Sequence, residues 1–204
     1  MRARGTLAEL LERHGRTYAA EAGIRLRDTP QPLYQLLVLS HLLSARIRAR
    51  VAVAAARALF SRRLRTPRRM ADASWKERVD ALGEGGYRRY DERTATQLGD
   101  GALLLLDAYG GDLRRLREEA DGDTGVLSTG LRRFPGIGPA GADIFLREVQ
   151  TVWPETAPYL DAKALQGAGQ LGLPTAPDEL LRLAKGQDPA LLAAALVRGA
   201  LDKR

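Results

Sequence analysis

The chain has 204 residues, enough for one large domain or two small lobes around a substantial core. Hydrophobic residues make up 45% but aromatics only 5%, and there is no cysteine, which excludes disulfides, thiolate zinc sites and cysteine-ligated iron–sulfur clusters. Lys and Arg exceed Asp and Glu by 32 to 25; that balance attracts polyanions such as nucleic acid, and a codon bias toward Arg and Ala produces it equally well.

Leu and Ala dominate, both favour helices, and runs of strand-forming residues are nearly absent, so the expected fold class is all-α. In chain order, Gly5 to Gly23 reads as one helix stopped near Gly15 and a short second one. Asp28, Thr29 and Pro32 signal a helix start, and Leu33, Leu36, Leu37, Leu39, Leu42 and Leu43 give the helix that follows a broad apolar surface, as a buried helix has. Arg46 to Arg69 carries nine arginines and no acid around an alanine-rich helical centre. That is either a solvated helix face with a loop or a surface that tracks phosphates. A short helix from Pro67 and another ending at Gly83 to Gly86 come next. A long helix then ends at Gly110-Gly111, and a charged helix breaks at Gly122. A short helix, a tight turn and an apolar helix occupy the stretch up to Trp153. A Pro-rich linker, a short helix that decays into glycines, and two closing helices complete the chain. The N-terminus has no apolar signal core and no run approaches the ~20 apolar residues of a membrane span, so a cytoplasmic protein without membrane contact is expected. The two histidines, His14 and His41, make no ligand cluster, and no metal or cofactor is expected.

The stretch "LRRFPGIGPAGADIF", Leu131 to Phe145, carries the chemistry. Two glycines around Ile137 let the backbone turn sharply, with positive φ at no steric cost. The freed N–H groups and the N-terminus of the next helix make a small anion site, and Pro139 suits the first helical turn, where an N–H is unpaired anyway. Leu131, Phe134, Ala142 and Phe145 are spaced so that two helices can pack closely around the turn. The same turn could be purely structural.

Read in order, "LLVLSHLLSARIRARVAVAAARALF", "TPRRMADAS", "LGEGGYRRYDERTATQL" and "FPGIGPAGA" resemble the segments around "LLSAQ", "TP..M", "GLYNSKAENI" and "LPGVGRKTA" of the helix-hairpin-helix (HhH-GPD) DNA glycosylase superfamily, in its endonuclease III branch. The resemblance runs from about Leu33 to Leu173. It implies two helical lobes with a cleft between them: a six-helix lobe over residues 33–142 ending in the hairpin, and a second lobe from residues 1–32 with 143–204. It implies a monomer that binds double-stranded DNA containing a damaged or mispaired base, in the bacterial cytoplasm and on the nucleoid when bound. The damaged base is flipped out of the stack before its glycosidic bond is attacked.

By the same resemblance, Gly136, Ile137, Gly138 and Ala140 grip a DNA phosphate. Asp161 corresponds to the essential aspartate, which stabilises the developing sugar cation and helps orient or deprotonate water. Asp161 also precedes "AKAL" and makes a good helix N-cap; both roles can coexist. Three departures narrow the chemistry. Ala140 stands where lyase-competent relatives carry the lysine that forms a Schiff base, so a monofunctional glycosylase without efficient strand cleavage is expected. The cysteines of the family's iron–sulfur cluster are missing. Arg46 stands at the position of a polar residue that plugs the gap left by the flipped base; it is either that plug or one arginine of a basic loop. Lys163 binds phosphate or faces solvent. His41, Tyr159 and Trp153 are the leading candidates for the base pocket, with Tyr34, Ser44, Trp75, Tyr87 and Tyr90 behind them, although most buried aromatics are core. Two other functions fit the same sequence. One is a catalytically inactive relative that binds damaged or bent DNA, and the other is an unrelated helical scaffold.

Overall fold

The computed structural model describes residues 2–202. The fold is all-α, with no strand among the described residues. The helices are α1 (Arg2–His14), α2 (Tyr18–Glu21), α3 (Pro30–Ser44), α4 (Ala49–Ser61), α5 (Pro67–Asp72), α6 (Trp75–Glu84), α7 (Asp91–Tyr109), α8 (Leu113–Ala120), α9 (Thr124–Leu131), α10 (Pro139–Val149), α11 (Ala162–Gln170), α12 (Pro177–Leu183) and α13 (Pro189–Asp202), with a 3-10 turn at Pro154–Thr156. The chain forms two compact units, a larger one over Ala19–Leu146 and a smaller one from residues up to 18 with those from 147 onward.

In the larger unit α3 is the central element. Leu33, Leu36, Leu39 and Leu42 are fully buried, and Tyr34, Leu37 and Val38 nearly so, because the apolar residues surround the helix instead of forming one stripe. Each such leucine contributes about 1.5–3 kcal/mol through burial. Local signals set the helix ends. Pro67 follows the capping residue Thr66, Ser74 and Glu77 close a reciprocal capping box at the start of α6, and Gly110 ends α7 in the left-handed region at φ 60°. Arg78 of α6 is buried and donates to the carbonyls of Met70 (2.9 Å), Ala73 (2.8 Å) and Ala95 (2.8 Å). One guanidinium thereby satisfies orphan carbonyls at the end of α5 and ties α5, α6 and α7 together. Residues 19–32 group with this unit. Arg57 Nη1 donates to the Glu21 carbonyl (2.9 Å) and Arg117 Nη1 pairs with Asp28 Oδ2 (2.8 Å).

The smaller unit packs α1, α11 and α13 around Leu7, Leu10, Ala164, Ala168, Leu192 and Leu196. Small residues on α11 let the α13 backbone come close; a side chain at Gly167 would collide with the Leu196 carbonyl.

Candidate functional site

The Pro135-Gly136-Ile137-Gly138 turn joins α9 to α10 in the larger unit. Leu131, Phe134, Ile137, Ala142 and Phe145 are all buried, so the turn is anchored on both sides by apolar packing. Gly136 sits at φ +84°, and a Cβ there would collide with the His41 ring and lie 2.7 Å from Gln97 Oε1. Glycine is therefore required twice over, by conformation and by the close approach of α3 and α7 side chains. The Ile137 N–H donates to the Phe134 carbonyl (3.0 Å) and closes the turn. Of the grip expected at 136, 137, 138 and 140, the Ile137 amide is thus already used. Among the described residues no acceptor takes the N–H groups of Gly136, Gly138 or Ala140, and Ala140 is exposed.

Beside the turn lies a cavity of about 370 Å³, walled by His41, Arg46, Tyr90, Arg93, Gln97 and the turn itself. Among the described residues no Asp or Glu lines it. His41 is buried, and burial pushes its imidazole down to about 4, with Arg93 acting in the same direction and the Gln97 hydrogen bond opposing. It is therefore neutral near pH 7, with Nε2 facing Gln97 Oε1 at 3.1 Å. An amide oxygen only accepts, so the imidazole Nε2–H is the donor. Ser44 Oγ donates to the His41 carbonyl (2.7 Å), and the Tyr87 and Thr94 hydroxyls face each other at 3.1 Å. The Tyr90 ring carries the guanidinium carbons of Arg89 and Arg93 at 5.3 and 5.8 Å from its centroid, within cation–π range.

Behind this wall is a void of about 20 Å³ bordered by Tyr34, His41, Gln97, Phe134, Pro135 and Ile137. The Tyr34 hydroxyl is buried and has no hydrogen-bond partner among the described residues. Burial pushes its phenol far above the usual range, so it stays protonated.

Asp161 lies in the smaller unit. It caps α11 by accepting from the Ala164 N–H (3.3 Å), and its Oδ2 takes Arg147 Nη1 at 2.7 Å. The Asp161 and Arg147 side chains are only 6% and 8% exposed. The cap was legible in the sequence; the arginine was not, although a lone Arg in the apolar run "IFLREV" signals a buried partner. Lys163 is exposed on α11. Tyr159 is half-buried, and its backbone is bracketed by the Gln150 amide. Trp153 is fully buried and has no face left for stacking on a ligand. Trp75 is exposed, with its indole N–H on Thr96 Oγ1 (3.1 Å).

Of the expected site residues, the cavity gathers His41, Ser44, Arg46, Tyr87 and Tyr90 with Gly136, Gly138 and Ala140. It also gathers Arg93 and Gln97, which sequence reasoning missed. Their signal was the spacing Tyr90, Arg93, Thr94, Gln97, which puts all four on one face at the start of α7. Among the described residues no three His, Asp or Glu side chains gather as a metal site, and no helix is long and apolar enough to cross a membrane. Comparison of the chain with protein-family models, with curated proteins and with solved structures gives no match.

Proposed function

We propose that this protein binds double-stranded DNA through a helix-hairpin-helix formed by α9, the turn and α10, and acts as a monofunctional glycosylase of base excision repair. The observation that supports this reading best is the cavity with two arginines and no Asp or Glu in its described wall, adjoining backbone N–H groups that have no acceptor among the described residues. Such donors suit a phosphate at the turn and a nucleotide drawn out of the duplex beside it. Asp161 would supply the carboxylate that stabilises the sugar cation while water displaces the base. Ala140 has no amine, so no covalent sugar adduct forms and the strand is not cut.

One observation favours a second reading, in which the protein holds damaged or bent DNA without releasing a base. The Asp161 carboxylate is committed to Arg147 and to the α11 cap, and a guanidinium at 2.7 Å offsets the negative charge that catalysis needs. A base-release assay over a panel of lesions, run with and without alkali, separates the two. The glycosylase reading expects release that yields strand breaks only after alkali, no borohydride-trapped adduct, and loss of release in Asp161→Asn. Salt-sensitive binding with no release from any lesion supports the binding protein instead.

A further inference from the structure

We infer that the cavity beside the turn selects nucleobases that carry a carbonyl oxygen where cytosine and adenine carry an exocyclic amine, and that Gln97 is the residue that reads it. The inference rests on the reading above, that the protein takes up an extrahelical base from DNA. Three observations carry it.

First, the charged groups of the wall are all donors, while the hydroxyls of Ser44, Tyr87, Tyr90 and Thr94 that also line it can donate or accept. Arg46 and Arg93 can only donate, the turn contributes backbone N–H groups, and no carboxylate is present to receive a base amine. Second, the Gln97 amide is oriented from behind. Its Oε1 takes the His41 Nε2–H at 3.1 Å, so the NH2 group is what it offers to a ligand, and that group has no partner among the described residues. His41 is itself fixed by burial and by its packing against Gly136. Third, Tyr90 lines the cavity, and its ring gives a base a stacking partner in exchange for a guanidinium that now lies over it. Stacking is indifferent to sequence, so discrimination falls to the donors. A carbonyl of uracil or hypoxanthine accepts from Gln97. The exocyclic amine of cytosine or adenine sets donor against donor and leaves both desolvated without a bond.

Uracil and cytosine, and likewise hypoxanthine and adenine, differ at this group and at the ring nitrogen beside it, which is N–H in the first of each pair and a bare acceptor in the second, so the Gln97 variants are what assign the preference to this contact. Affinities of the full chain are measured by fluorescence anisotropy on duplexes with one bulged nucleotide, carrying a 2′-fluoro sugar that resists hydrolysis. Uracil should bind about tenfold more tightly than cytosine, and hypoxanthine than adenine, as expected for one well-placed base contact. Gln97→Leu should bring both ratios to parity. Gln97→Glu, which exchanges the donor for an acceptor, should invert them, a result that mere loss of packing does not produce. Circular dichroism confirms folding, and if the leucine variant is unfolded the glutamate variant carries the test. Equal affinities in the parent chain, a preference for cytosine and adenine, or ratios that neither variant moves would overturn the inference while leaving DNA binding intact. Absence of binding to every duplex at low salt would instead remove the DNA reading on which it rests.

Discussion

Arg147 Nη1 donates to Asp161 Oδ2 across 2.7 Å, with both side chains almost wholly withdrawn from solvent. Removing one partner of such a pair strands a buried charge, at a typical cost of about 3–5 kcal/mol. Arg147→Met should therefore lower unfolding stability by an amount in that range. Asp161→Asn should cost less, because asparagine still caps α11. The double variant Arg147→Met/Asp161→Asn should recover part of the loss. Urea denaturation of the four proteins, read as a double-mutant cycle, checks this.

The two glycines of the turn should separate folding from binding. Gly136→Ala forces a Cβ into the left-handed region at φ +84° and against His41, so a destabilisation of about 2 kcal/mol or more is expected. Around Gly138 the space for a Cβ is open and φ lies outside the left-handed range, so Gly138→Ala should cost no more than about 1 kcal/mol. A methyl group at 138 nevertheless stands where a phosphate would approach the backbone. Thermal melts should then show a near-normal Gly138→Ala protein whose DNA affinity has fallen. Unchanged affinity would take the turn out of the interface.

His41 makes stability depend on pH in a defined window. Its folded value of about 4 lies below the ordinary 6.5, so the unfolded chain binds the proton more readily. The stability due to the neutral imidazole is complete above pH 6.5, is lost as pH falls toward 4, and changes no further below that. The full loss is about 3 kcal/mol. Because carboxylates titrate at the lower end of this range, the check is the difference between the parent and His41→Gln from pH 7 to 4.5. The variant should show a flatter curve.

Tyr34 offers a simpler test. Its hydroxyl is buried without a partner, so Tyr34→Phe removes a desolvated polar group and no hydrogen bond. Stability should stay level or rise by about 1 kcal/mol in chemical denaturation. A clear loss would mean that a water occupies the small void and bonds the hydroxyl to its neighbours, since about 20 Å³ is room for one.

What the sequence by itself determined here was local. Leucine and alanine content set the all-α class, and the capping residue Asp161 marked the start of α11. The two glycines around Ile137 marked the turn, because φ, capping and helical periodicity are decided by residues a few positions apart. Tertiary structure alone decided what those residues face. His41 and Gln97 meet across 56 positions, and Gly136 closes against both. Asp161 finds Arg147 from the next helix back, which turns a suspected catalytic carboxylate into one that is also paired and buried. Trp153 shows the same limit from the other side, since an aromatic beside a linker reads alike whether it is exposed or, as here, fully enclosed. Burial, ion pairing and the tautomer of a histidine depend on which distant side chains converge, and no local pattern encodes that.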